Sequence, residues 1–260
     1  MIRVGIGGWT YEPWRGTFYP EGLKHADELR YASSKLTSIE INGTFYRTQS
    51  AASFAKWRDE TPEDFVFAVK GHRAVVNKKV LGEAGEAVAW FLGSGVTELG
   101  PKLGPLLWQF APFKRFDADD FGAFLALLPE KAGGLALRHV VEVRHQSFLV
   151  PEFVALIAKH NVAVVCADSD DYPAIADVTA DFVYARLQRS QEKEEAGYPS
   201  AELDAWAGRA KTWASGGVPA DLPAFGSAKP KKAKRDVFLY MIAGDKVRAP
   251  AAAQAMIARL

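Results

Sequence analysis

Residues 137–168, LRHVVEVRHQSFLVPEFVALIAKHNVAVVCAD, hold two β-rich runs separated by one amphipathic run. Leu137–Arg144 and Val162–Asp168 are rich in valine, while Phe153, Leu156 and Ile157 line up at helical spacing. Two strands joined by a helix predict a parallel crossover unit, because a hairpin turn cannot return the chain in parallel. The same rhythm continues in both directions. Strands are predicted at Arg3–Gly7, Ser38–Asn42, Phe65–Lys70, Leu106–Phe110, Phe182–Gln188 and Asp236–Ile242. Asp117 reads as an N-cap, with Asp119 and Asp120 in the first turn and Phe121, Phe124, Leu125 and Leu128 on one face. Leu203, Trp206, Ala207 and Ala210 mark another helix before the last strand. Even alternation of strands and helices predicts an α/β chain forming a single (β/α)8 TIM-like barrel domain over residues 1–260. Ser169–Ala180 is too short for a full helix, so the sixth β/α unit is expected to be irregular.

Composition agrees with this size. A chain of 260 residues, 48% hydrophobic, 12% aromatic and 24% charged, has ample material for one large core. A formal net charge of +1 gives no global field of the kind that draws a protein to nucleic acid or a membrane. The single cysteine, Cys166, excludes an intrachain disulfide framework and fits a reducing compartment. The first residues lack the charged and long apolar segments of a signal peptide, and no window approaches the ~18 apolar residues of a membrane span. The expectation is a cytoplasmic protein without a membrane partner.

Side chains alternate along a strand, so residues i and i+2 share a face. In Ser38–Asn42, Ile39 and Ile41 oppose Glu40 and Asn42; in the fifth strand, Val141 and Val143 oppose Glu142 and Arg144. Lys70 follows Val66 and Ala68, Gln109 follows Leu107, and Asp168 follows Cys166 on their respective faces. Tyr184, Arg186 and Gln188 stand together, and the last strand contributes Tyr240. In a closed barrel the aliphatic face meets the helices, so the polar set is expected to converge in the lumen toward the C-terminal strand ends. Burying such charges is costly unless they are paired. A fold does not require them there, whereas a site does; the competing reading is an internal ion-pair network, Glu142 with Arg144 or Arg186, that only fills the lumen. After the first strand, Gly7 and Gly8 lead into Trp9, Tyr11 and Trp14, a candidate stacking wall; the alternative is aromatic packing that plugs the mouth. His72 and His145 follow Lys70 and Arg144 closely and are candidates for proton exchange, the alternative being hydrogen-bonded spacers. Lys229, Lys231, Lys232, Lys234 and Arg235 form a basic cluster that reads as a solvated loop on the face opposite the mouth.

Several of these residues fall in a familiar order. Gly7-Gly8-Trp9-Thr10-Tyr11, Trp14-Arg15-Gly16, Phe18-Tyr19-Pro20, Glu40-Ile41-Asn42 and Thr44-Phe45-Tyr46-Arg47 resemble the domain of unknown function 72 family. So do Phe67-Ala68-Val69-Lys70, Leu103-Gly104-Pro105-Leu106-Leu107 with Gln109, and Val141-Glu142-Val143-Arg144-His145 with Phe148. The resemblance covers nearly the whole chain and implies a cytoplasmic TIM-barrel-like protein with no established activity, hence no catalytic residues to carry over. Two departures stand beside the expected pocket. Where relatives have Arg-x-His-Gly this chain has Arg186-Leu187-Gln188-Arg189, and where they have asparagines after the tyrosine it has Met241-Ile242-Ala243 after Tyr240.

Familiar catalytic signatures are missing: no dinucleotide fingerprint, P-loop, Gly-x-Ser-x-Gly elbow or His-Glu-x-x-His occurs. Cys166, inside an apolar strand, reads as core. A cofactor-bearing Lys70 is disfavoured, since acidic neighbours are expected to pair with it, and no cofactor is predicted. The preferred reading is an enzyme performing acid–base chemistry, of lyase, isomerase or hydrolase type, on an anionic phosphorylated or carboxylated small molecule. Lys70, Arg144 and Arg186 would hold the anion, with Asn42, Gln109, Trp9, Tyr11 and Tyr240 in support, and Glu142, Asp168, Glu40 or His145 would move a proton. One alternative is a metal-dependent hydrolase or isomerase using Glu40, Glu142, Asp168 and His145 as ligands of a divalent ion, against which the neighbouring cations count. Another is a non-catalytic nucleotide or nucleic-acid binder, with Trp9 and Tyr11 stacking and Arg144 and Arg186 on phosphate. Nucleic acid is not the favoured partner.

Overall fold

The period-2 runs become parallel strands, and the amphipathic runs between them become helices laid over their outer face. The structure, a computed structural model, describes residues 1–227 and 230–260. The strands are β1 (Ile2–Gly7), β2 (Ser38–Ile41), β3 (Val66–Lys70), β4 (Leu103–Gln109), β5 (Lys131–Ala132), β6 (Leu135–Ala136), β7 (His139–Glu142), β8 (Ala163–Asp168), β9 (Phe182–Leu187) and β10 (Asp236–Met241). The helices are α1 (Glu28–Lys35), α2 (Ala51–Asp59), α3 (Arg73–Val76), α4 (Gly85–Leu92), α5 (Ala118–Ala126), α6 (Pro151–Lys159), α7 (Ser200–Ala214) and α8 (Ala249–Ile257). Among the described residues, β1-β2-β3-β4-β7-β8-β9-β10 close into a barrel in that order, with β1 pairing β10 in parallel. The expected (β/α)8 barrel is the observed architecture.

Two apolar layers follow from the alternation. Val4, Ile6, Ile39, Ile41, Val141 and Val143 join the layer shared with the helices. Val66, Ala68, Leu107, Val140, Val165, Tyr184, Phe238 and Tyr240 pack inside the barrel. Crowding inside decides which residues fit. At Gly5 a Cβ would lie 2.1 Å from the Ser38 carbonyl oxygen and 3.2 Å from the Tyr240 ring, so only glycine lets β1 approach its neighbours.

Helix ends follow their sequence signals. The Asp117 carboxylate accepts the Asp120 amide proton at 3.0 Å and opens α5, whose Phe121, Phe124 and Leu125 are buried. Leu203, Trp206, Ala207 and Ala210 are all buried on α7. The stretch after β8 forms no helix, as its length predicts.

Two boundaries differ from expectation. Leu137–Arg144 is trimmed to the four-residue β7; at its start Leu137 donates its amide proton to Glu130 O at 2.8 Å, continuing the small antiparallel hairpin Lys131–Ala136, whose turn is made by Gly133 and Gly134 at φ of 54° and 80°. Strand β4 begins three residues early, at Leu103, and its register against β3 shifts between Phe67 and Val69, beside Gly104 and Pro105. Of the basic cluster, Lys231, Lys232 and Lys234 are exposed just ahead of β10, at the N-terminal end of the barrel, while Lys229 lies outside the described residues. Among the described residues no helix is long and apolar enough to cross a membrane.

Candidate functional site

The lumen-facing positions near the C-terminal ends of β2, β3, β4, β7 and β9 bring Glu40, Lys70, Gln109, Glu142 and Arg186 into one hydrogen-bonded network. Arg186 is its hub. Its Nη2 and Nε donate to Glu40 Oε1 and Oε2 at 3.0 and 3.2 Å, and its Nη1 donates to Glu142 Oε2 at 2.5 Å. The Tyr184 hydroxyl, one pleat below, donates to Glu40 Oε2 at 2.5 Å. Gln109 Nε2 donates to Glu142 Oε2 at 2.7 Å, while its Oε1 accepts from Lys70 Nζ at 2.7 Å. Arg144, just past β7, turns back so that its Nε and Nη2 each reach Glu142 Oε1 at 3.0 Å.

Burial sorts these side chains. Glu40, Glu142 and Arg186 are 0%, 1% and 2% exposed and fill the lumen, whereas Lys70, Arg144 and Asn42 are half-buried at its rim. Electrostatics sorts them again. Burial works against the Glu142 carboxylate, but the Arg186 and Arg144 charges and the Gln109 hydrogen bond outweigh it and hold its pKa below the usual carboxylate range. Burial likewise opposes the Arg186 charge, and Glu142 and Glu40 overcome it. Lys70 goes the other way: burial, reinforced by Arg186 and Arg144 and only partly opposed by Glu40 and Glu142, lowers its pKa to about 8.

Residues on loops complete the rim. The turn Gly43–Phe45 after β2 is pinned by Thr44, whose hydroxyl donates to Lys70 O at 2.6 Å, and it sets the Phe45 ring 4.2 Å from Lys70 Nζ. The irregular stretch after β8 lays Tyr172 against Arg144, guanidinium carbon to ring centre 4.1 Å. Gln188, two residues past Arg186, keeps a buried Nε2 without a partner among the described residues. Sequence reading gave none of Phe45, Tyr172 and Gln188 a role. Only Gln188 carried a signal, as the last member of the Tyr184, Arg186, Gln188 face.

Other candidates are placed elsewhere. Asp168 was expected to face the lumen; instead Ala163, Val165 and Ala167 do so, and Asp168 points to the helix side. There Arg189 Nε donates to it at 2.7 Å, and burial raises its pKa against the pull of Arg189. His145 caps the turn Gln146–Phe148, its Nδ1 accepting the Ser147 amide proton at 3.0 Å, and His72 caps α3 in the same way at 3.1 Å. Trp9 is no stacking wall at the mouth: it packs edge-on to Trp57 at 5.0 Å and against Phe67 in the helix-side layer. Tyr11 meets Trp14 at 5.3 Å and carries Lys246 over its ring at 4.3 Å, and Trp14 itself is fully buried. Tyr240 lies below the rim, bonded to Ser38 Oγ at 2.6 Å with its pKa raised by burial. Cys166 is core, its pKa raised by burial to about 12.

The oxygen and nitrogen ligands required by the metal-dependent alternative are therefore not gathered. Among the described residues no group of three or more His, Cys, Asp or Glu side chains stands close enough to share an ion, and Glu40 and Glu142 are both turned onto Arg186. A hollow of about 1130 Å³ opens at the opposite, N-terminal end of the barrel, lined by residues including Arg138, Lys159, Asp181 and Asp236. It is remote from the network, which gathers its polar groups at the other end of the strands.

Comparison with known proteins adds a family and no chemistry. Residues 3–260 match the model of the family described as "Protein of unknown function DUF72". The UPF0759 protein YunF of Bacillus subtilis is 27% identical over 159 residues, 59% of this chain and 54% of that protein. The UPF0759 protein YecE of Escherichia coli strain K12 is 27% identical over 149 residues, 57% of this chain and 50% of that one. The matched region thus spans about half the length of these curated relatives. A crystallised DUF72 family protein of Thermotoga maritima superposes with a TM-score of 0.74 at 22% identity, covering 99% of this chain and 97% of the other, a likeness of fold.

Proposed function

The chain belongs to the DUF72 family of proteins of unknown function, and from its own side chains we propose that it is an enzyme performing acid–base chemistry on an anionic, phosphorylated or carboxylated small molecule at the barrel rim. The observation that carries this reading is the charge balance of one connected network. Three cations, Lys70, Arg144 and Arg186, meet two carboxylates, Glu40 and Glu142. A network that only filled the lumen would gain by balancing its charges; this one keeps a surplus positive charge at the accessible end.

The roles divide by accessibility. Arg186 has spent its guanidinium on the two carboxylates, so it orients them and does not meet a ligand. Among the described residues, Arg144 keeps Nη1 free beside its bonds to Glu142, and Lys70 keeps two ammonium protons beyond the one given to Gln109. These donors, with Asn42 and the unpartnered Gln188 amide, suit a phosphate or carboxylate group. For the proton carrier we take Lys70 rather than Glu142. A base working near neutral pH needs a pKa near that pH, and Glu142 is held ionised by two arginines while Lys70 stands at about 8. Asp168 and His145 take no part.

The test is a thermal-shift screen of sugar phosphates, nucleotides, carboxylates and divalent ions against wild type and Arg144→Ala. A ligand at a hundred times its dissociation constant stabilises the fold by about 2.7 kcal/mol. The expected result is an anion that raises the melting temperature of the wild type and not of the variant. If no anion does so, the reading falls. If divalent ions alone do so, metal-dependent chemistry takes its place. A second reading, nucleotide binding, draws on the aromatic rim beyond Phe45. Tyr46 and Trp90 are 67% and 50% exposed, and His72 packs edge-on to Trp90 at 4.9 Å. A response confined to nucleotides and lost in Trp90→Ala would favour it.

A further inference from the structure

Among the described residues Lys70 is the one cation of the network with no carboxylate within ion-pair distance. Arg186 holds Glu40 and Glu142, and Arg144 holds Glu142. Lys70 Nζ is held by a neutral acceptor, Gln109 Oε1, and by the face of Phe45. The acceptor is itself fixed, because the other end of the Gln109 amide donates to Glu142. An ammonium kept for ion pairing sits on a carboxylate; here both nearby carboxylates are turned away from it onto arginines. The Phe45 face by itself favours the ammonium, but an amine with no carboxylate partner, half-buried at the rim beside the Arg186 and Arg144 guanidinium groups, is arranged to lose a proton and present its lone pair.

We infer that Lys70 is a covalent nucleophile, and that the anionic compound taken at this rim is an aldehyde or ketone held as an iminium on its Nζ. The inference rests on the anion-binding reading for the charge of the substrate, and adds its reactive group. In the step, the amine lone pair forms a bond to the carbonyl carbon and the carbon–oxygen bond then breaks. The oxygen leaves as water carrying two of the three protons of the original ammonium. One proton stays on nitrogen, so the positive charge is conserved and no redox partner is needed. The iminium then withdraws electrons from the adjacent carbon, which is what a lyase or isomerase acting beside a carbonyl requires. Arg144, on β7's side of the rim, would take the phosphate or carboxylate of the same molecule. The groups facing Lys70 are Gln109, Phe45, Arg186, Arg144, Glu40 and Glu142. Their combined effect, with burial, leaves roughly one lysine in ten as free amine at pH 7, about 250-fold more than an ordinary surface lysine.

The experiment is reductive trapping on the full chain. Wild type is incubated at pH 7 with sodium cyanoborohydride and either pyruvate, dihydroxyacetone phosphate or uncharged glycolaldehyde. The adducts are located by peptide mass mapping, and thermal shifts with the same three compounds are recorded without reductant. The expected result is one reduced adduct, on Lys70, forming on the order of 100-fold faster than on exposed lysines and absent from Lys70→Met. Because the label is read in wild type, a variant that folds poorly does not decide the outcome. If the anionic compounds stabilise the protein while Lys70 is labelled no faster than surface lysines, the nucleophile is overturned and the anion site stands. If glycolaldehyde alone labels Lys70 and no anion stabilises the protein, the nucleophile stands and the anion reading is overturned. With neither labelling nor stabilisation, both are overturned.

Discussion

Arg186 sits between two carboxylates, all three side chains buried in the lumen, and this fixes what its removal must do. Arg186→Met would leave Glu40 buried with no ion-pair partner among the described residues, and Glu142 with Arg144 alone. The expected loss is about 3–5 kcal/mol of stability at pH 7, read by urea unfolding, and it should shrink in acid as the carboxylates protonate. Lys70 has the opposite signature. Its pKa is lowered to about 8 in the folded protein and returns to ~10.4 on unfolding, so between those values the unfolded chain binds more protons. The penalty for burying the ammonium is present in full below pH 8 and disappears as pH rises through this window. Wild type should therefore gain up to about 3 kcal/mol relative to Lys70→Met between pH 8 and pH 10.4. A flat difference across that window would mean that Lys70 is solvated like a surface lysine.

At the scale of elements, the rim depends on segments that are neither strand nor helix. Arg144 lies two residues beyond the last β7 residue, and Tyr172 in the helix-free stretch after β8 sets its ring centre 4.1 Å from the guanidinium carbon. Tyr172→Ala should leave stability nearly unchanged and weaken anion affinity a few-fold, in keeping with about 0.5–1 kcal/mol for a half-exposed cation–π contact. Equal affinity in titrations of the two proteins would show that Glu142 alone orients Arg144. Strands and longer helices were legible because hydrophobic period is a local property. The Tyr172 segment was legible only as a missing helix, since nothing in its own sequence says which neighbour it will cover.

Over the whole molecule, a parallel barrel separates its two ends by the length of its strands. Lys231, Lys232 and Lys234 precede β10 and so stand at the end away from the rim. Replacing all three with serine should leave any anion-induced thermal shift unchanged. A lost shift would place the anion at the N-terminal end, beside the hollow lined by Arg138 and Lys159. On the proposed reading, the ion-pair network sets stability against anion binding. Replacing the buried trio by apolar residues of similar volume should leave stability equal or higher, by about 1–4 kcal/mol, while anion binding is lost.

The sequence by itself determined the barrel and most of the inward set. Alternation in Ser38–Asn42 and Val141–Arg144 has polar residues on one face only, so closing the sheet leaves Glu40, Glu142 and Arg144 one direction to point. In Ala163–Asp168 both faces are apolar, the alternation carries no phase, and the side taken by Asp168 was decided by packing against the helices. Tertiary structure alone decided how the charges pair. Glu40 and Arg186 meet across 146 residues of chain because barrel closure brings β2 and β9 to face each other, and no local pattern encodes that distance. Sequence reading assigned Lys70 an acidic partner; the fold gave both acids to arginines and left the lysine with Gln109. Two planar guanidinium groups match the carboxylates with paired donors in a way a single ammonium does not, and that geometry decided which cation was left over.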